Sequence, residues 1–248
     1  MKLKFAAVLL INFCFCANCF ASCVEQAVPS SDIGKNMFYI PAGLMAAGIF
    51  VETSPSGSFF SKYELQKRFS EGDKENVWDD YAQFLPLGAA VILPAFTEDG
   101  KSRDSLQATV RKSVLSEAIM LFTVTGIKSV SDKKRPNGSK KSFPSGHTAQ
   151  SFLGAQILYM EYRDTNRWLA YAGYPVAAFV AAERVDNSFH WTSDVLVGAA
   201  IGMAVPTFVY WLSDKKASDG RSFWGRHGLS IAPEYSSNEK GVVLSFAF

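Results

Sequence analysis

Two of the chain's three histidines stand at spacings that suit chemistry on an anion. His190 precedes Asp194 by four residues at the opening of an apolar stretch, so both side chains fall on one helical face, within hydrogen-bonding reach. A carboxylate on one ring nitrogen fixes the tautomer and leaves the lone pair of the other free, as a histidine nucleophile requires. Arg184 lies six residues before His190, and Lys128 and Arg135, the latter followed by Pro136, form a second block upstream. Three cations are enough to compensate a phosphate dianion and the charge spread over its equatorial oxygens during transfer. Between the two blocks run Pro144, Ser145, Gly146 and His147. Pro144 and Ser145 read as a turn and amino-terminal cap, so the helix that follows offers free N–H groups to an anion, and Gly146 allows close backbone approach.

These residues need a frame that brings distant segments together. Apolar stretches of helical character cover residues 36–51, 82–97, 105–130, 147–162, 168–182 and 191–213, which predicts an all-α bundle of six helices over residues 36–213. The short connection at 161–167 makes consecutive helices antiparallel, so the loops at 128–146 and 184–190 share one end of the bundle. A charged segment at 61–80 reads as a solvated cover that offers contacts to substrate, with Tyr63, Leu65, Phe69 and Trp78 on one face of a surface helix. At the carboxyl terminus, alternation through Leu229, Ile231 and Tyr235, a polar turn, and alternation again through Val242, Leu244, Phe246 and Phe248 predict a β-hairpin over 228–248. It is far short of the roughly 8 strands of an outer-membrane barrel. We expect it to dock on the bundle or to serve a partner.

With 248 residues, 48% of them hydrophobic, the chain suffices for one core, and a formal charge of +2 with interspersed signs argues against nucleic acid as a partner. Lys2 and Lys4, an apolar run and the small residues Ala17, Ala21 and Ser22 read as an export signal over residues 1–22. All four cysteines, Cys14, Cys16, Cys19 and Cys23, fall in or beside it, so no disulfide is expected in the exported domain. Cys23 offers a lipid-anchor position in an imperfect lipobox, with Phe20 where leucine is usual. The other reading is cleavage after Ala21 that leaves an unpaired thiol.

The blocks Lys128-x6-Arg135-Pro136, Pro144-Ser145-Gly146-His147 and Arg184-x5-His190-x3-Asp194, present in order, resemble those of the type 2 phosphatidic acid phosphatases (PAP2) and their relatives, the bacterial acid phosphatases and vanadium haloperoxidases. The likeness spans roughly residues 79–211 and departs from the pattern at Glu183, where many members carry serine. It implies a PAP2-type bundle with His190 as nucleophile, Asp194 orienting it, and a phosphohistidine intermediate. It also implies His147 as the acid for the leaving group, and Lys128, Arg135, Ser145, Gly146 and Arg184 around the phosphate. No metal or other cofactor is implied, and no HExxH pattern occurs.

Export and resemblance together point to a phosphate on a membrane lipid, such as undecaprenyl pyrophosphate, lipid A or phosphatidic acid, cleaved by a membrane-associated envelope enzyme that faces the periplasm. The alternatives are a periplasmic acid phosphatase acting on soluble esters, a haloperoxidase that holds vanadate in the same cradle, and a non-enzymatic scaffold. The remaining histidine, His227, reads as a linker residue. Lys133, Lys134, Lys140 and Lys141 read as a solvated face. Arg111, Lys112 and Glu117 interrupt the third helix, which weighs against a simple membrane span there.

Overall fold

A 3-10 turn at Lys35–Phe38 leads into α1 (Tyr39–Thr53). There follow α2 (Lys62–Phe69), α3 (Trp78–Ala82), α4 (Leu85–Phe96), α5 (Leu106–Val130), α6 (Gly146–Tyr162), α7 (Arg167–Asp186) and α8 (Thr192–Ser218). This computed structural model describes residues 35–70, 77–96, 104–218, 229–235 and 240–246. The expected signal segment 1–22, the four cysteines with the Cys23 anchor position, and His227 lie outside them. Six helices is therefore an undercount: the described residues hold eight α-helices, because the charged segment carries two short ones. Helix starts follow local chemistry. The side chains of Ser61, Ser105 and Asn166 accept from the backbone N–H groups of Glu64, Ala108 and Leu169, each satisfying one orphan donor of a first turn.

α6 is the central element and packs against α4, α5 and α7. Ala149, Leu153, Ala155, Ile157, Leu158 and Met160 are all buried along it. Its contact with α8 is backbone against backbone. A Cβ on Gly202 would stand 2.3 Å from the carbonyl oxygen of Ala149, and one on Gly198 would stand 2.5 Å from that of Ser145. Only glycine permits so close an approach. The consequence is local to the cradle, since the Ser145 N–H donates to the Asp194 carbonyl at 3.0 Å.

α5 and residues 192–214 of α8 are long and apolar enough to cross a membrane. The charges that interrupt α5 find partners. Lys112 Nζ lies 2.5 Å from Asp104 Oδ2, and Glu117 accepts from the Gln150 side-chain amide of α6. Val114 and Phe122, on the same helix, are exposed by 63% and 81%, a surface better suited to lipid than to water.

The chain divides into two compact units, residues 1–209 and 210–248. In the second, β1 (Leu229–Tyr235) pairs antiparallel with β2 (Lys240–Phe246), with Leu229 opposite Phe246 and Tyr235 opposite Lys240.

Candidate active site

The loop between α5 and α6 and the loop between α7 and α8 meet at one end of the bundle. Asn137 N–H donates to the Ser188 carbonyl at 3.2 Å, and Trp191 Nε1 donates to the Lys134 carbonyl at 2.8 Å. His190 is 1% exposed, and its N–H donates to the Arg184 carbonyl at 3.0 Å, so the backbone sets the ring's place relative to Arg184. Its Nδ1 faces Asp194 Oδ2 at 3.6 Å, a long contact of the kind that tightens when a catalytic site fills. Burial drives the His190 imidazole down to about 4, with the charges of Lys128 and Arg135 adding to the effect and Asp194 opposing it. At neutral pH the ring is therefore uncharged and its lone pair is available.

Asp194 is fully buried and its oxygens are divided between partners. Oδ1 meets Lys133 Nζ at 2.6 Å, while Oδ2 accepts from Ser142 Oγ and, at 3.0 Å, from the Trp191 N–H. Lys133 also bonds Glu52 of α1, and it donates to Ser193 Oγ at 2.9 Å. Burial pushes the Glu52 carboxyl up, yet Lys133, Lys62 and Ser193 together hold it below its usual value. The solvated-face reading is thus wrong for Lys133, whose side chain is 9% exposed, although Lys134, Lys140 and Lys141 do face solvent. Lys133→Met removes the cation from the fully buried Asp194 and from the half-buried Glu52, which keeps Lys62 and Ser193, and is expected to cost about 3 kcal/mol, a fall of roughly 10 °C in thermal midpoint. Lys134→Met serves as the control, and an equal, small shift in both variants would show that Lys133 is not embedded.

The cradle residues converge, with one correction. Lys128 Nζ donates to the Lys141 carbonyl at 3.0 Å, and both Lys128 and Arg135 lie close enough to act on the His190 charge. Arg135 is held below its ordinary value by burial and by the charge of Arg184. Ser145 occupies the cap position of α6, but its side chain makes no capping bond. Its Oγ pairs with Thr148 Oγ1 at 2.9 Å, and its N–H is taken by Asp194. The amides left for an anion are therefore those that begin at Gly146 and His147, which lack intrahelical partners by their position in the first turn.

The charged segment is not merely a solvated cover. Of its four predicted apolar contacts only Leu65 is buried, while Tyr63, Phe69 and Trp78 are exposed. What it turns inward is acidic. Asp79, fully buried on α3, sits 2.5 Å from Arg184 Nη1, and its neighbour Asp80 lies 3.3 Å from the same nitrogen and 2.9 Å from His147 Nε2. Burial and the charge of Arg184 lower the His147 pKa, and Asp80 and Asp79 offset part of that fall. Asp79, Asp80, Glu52 and Lys133 had no sequence motif to announce them. The one available hint was that Glu52 is the sole charge in an otherwise uncharged α1. Among the described residues, no group of three or more His, Cys, Asp or Glu side chains is placed to hold a metal ion.

Comparison with known proteins reaches the same blocks. The sequence model of the PAP2 superfamily matches residues 94–218. A lipid A 1-phosphatase of Porphyromonas gingivalis is 38% identical over 137 residues, which cover 55% of this chain and 31% of that protein. The chain therefore spans less than a third of that relative's length. A PA-phosphatase related-family protein of Dictyostelium discoideum is 32% identical over 214 residues, covering 68% of this chain and 77% of that one. The solved structure of Aquifex aeolicus LpxE overlays 60% of this chain and 93% of its own at a TM-score of 0.48 and 20% identity. Since the superfamily model spans half of the chain and the Dictyostelium relative is matched over most of its length, this chain belongs to the PAP2 superfamily.

Proposed function

We propose that this protein is a metal-independent phosphatase of the bacterial envelope that removes phosphate from a membrane lipid through a phosphohistidine intermediate. The observation that carries the reading is a pair of buried cationic donors without partners, Arg135 Nε and Arg184 Nε, in the same site as an uncharged, buried His190. Buried donors are rarely left unpaired, and a tetrahedral oxyanion would satisfy both. The lipid half of the reading draws on the P. gingivalis relative's name and on two helices able to cross a membrane. The expected leader supports a site that faces the periplasm.

In this mechanism Lys128, Arg135, Arg184 and the amides that begin at Gly146 grip the phosphoryl oxygens. His190, with Nδ1 turned to Asp194, uses its Nε2 lone pair to form a P–N bond. The P–O bond to the leaving group breaks with its electron pair, and the departing oxygen takes a proton from His147. Water then attacks phosphorus while His147 accepts its proton, the P–N pair returns to His190, and inorganic phosphate departs.

Phosphate release in excess EDTA from lipid A-type, phosphatidic acid and prenyl pyrophosphate substrates, beside 4-nitrophenyl phosphate, tests the reading. We expect sustained turnover with preference for a lipid ester. A strict magnesium requirement, or turnover of soluble esters alone, counts against it.

A further inference from the structure

The acidic pair on α3 lies on Arg184, and Asp80 also reaches His147, the residue assigned to the leaving group, which is unusual in a pocket built to attract anions. Asp79 has no exposure and is held by Arg184 at 2.5 Å, so it anchors the turn. Gln83 Nε2 donates to the Asp80 carbonyl at 2.8 Å and braces the same turn. Asp80 is thereby fixed with its carboxylate on His147 and Arg184, while half of its side-chain surface stays open. The charged groups that face His147 are then Asp79 and Asp80 from α3 and Arg184 from α7.

We propose that Asp80 is a specificity residue of this site: its carboxylate, seated between His147 and Arg184, favours phosphomonoesters of uncharged alcohols and disfavours pyrophosphates, whose leaving group is itself an anion. The inference rests on the phosphatase reading above and narrows its substrate class. In-line transfer sets the leaving oxygen opposite His190 and against His147, hence beside Asp80. An alcohol entering there displaces the carboxylate from the imidazole, leaves it on Arg184, and meets no repulsion. The phosphate that leaves from a pyrophosphate would bring negative charge within a few ångströms of Asp80. At the effective dielectric of a half-open site such a pair disfavours the transition state by on the order of tenfold or more. Specificity of this kind works by a repulsive element set against the wrong ligand. The same carboxylate offsets the fall in the His147 pKa, so its removal should lower that pKa further.

The test compares wild type, Asp80→Asn and Asp80→Glu, each as the full chain in detergent micelles. The readouts are kcat/KM for a short-chain phosphatidic acid and for a short prenyl pyrophosphate, and inhibition of the former by inorganic pyrophosphate. We expect Asp80→Asn to lower the monoester-to-pyrophosphate ratio by about tenfold, to tighten pyrophosphate inhibition, and to move the basic limb of the monoester pH profile to lower pH. Asp80→Glu, which keeps the charge, should keep the wild-type ratio. An equal change in both substrates, with unaltered pyrophosphate inhibition, overturns the proposal and leaves the phosphatase reading standing. Absence of turnover of both substrates by the wild type in the same assay would overturn the phosphatase reading itself.

Discussion

His190→Gln is expected to reduce phosphate release by at least about 10⁴-fold, because the glutamine amide has no basic lone pair to attack phosphorus and the remaining residues retain only binding and charge stabilisation. Glutamine approximates the imidazole in size, which limits the cavity left at a position 1% exposed. Wild type mixed with labelled substrate and quenched in alkali, where phosphohistidine survives, should retain label, and the variant should retain none. Retained label in His190→Gln would place the covalent step elsewhere. The pH dependence has a definite sign. In the proposed mechanism the nucleophile is the neutral ring, whose population falls as pH drops through the folded pKa. Since burial lowers that pKa to about 4, the acidic limb of wild-type kcat/KM should lie near 4 and not at the ordinary histidine value. An acidic limb at the ordinary value would mean that His190 is solvated in the working enzyme.

Arg184 carries the second prediction because it serves two partners at once. Its Nε is buried without a partner, and its Nη1 is held by Asp79 and Asp80. Arg184→Ala removes a charged donor from the transition state, for which a loss of about 10²–10³ in kcat/KM is expected. It also strands the fully buried Asp79, at a cost of about 3–5 kcal/mol in stability. The two effects separate in the double variant Arg184→Ala with Asp79→Asn, which should recover much of the thermal midpoint and none of the turnover. Arg184→Lys restores charge but not the planar fork, so it should fall well short of wild-type kcat/KM. Recovery of activity in the double variant would mean that Arg184 acts by holding the fold and not by holding phosphate.

The legible part of the site is the part encoded at short range. His190 and Asp194 are four residues apart, and Ser145, Gly146 and His147 are consecutive at a helix start, so chain geometry alone brings them near one another. The antiparallel order of the long helices follows from short connections, which is why the two loops could be expected at one end. The reading erred where a pattern has more than one way to be satisfied. Ser145 has a capping residue's chemistry but spends its hydroxyl on Thr148. Lys133 and Lys134 are adjacent and identical in type, and only packing decides that the first turns inward to Asp194 while the second faces water.

Apolar periodicity, cap residues and local spacing thus mark the helical frame, the candidate nucleophile His190 with Asp194, and the candidate cradle cations Lys128, Arg135 and Arg184. The contacts of Asp79 with Arg184, of Asp80 with His147, and of Glu52 with Lys133 and Ser193 join residues about 70 to 140 positions apart along the chain and arise from how helices stack. Electrostatics at that range depends on distance and burial, neither of which is a property of one segment. Gly198 and Gly202 make the same point for packing: in the chain they are small residues on an apolar helix, and in the fold they are the places where two backbones touch and bring Ser145 to Asp194.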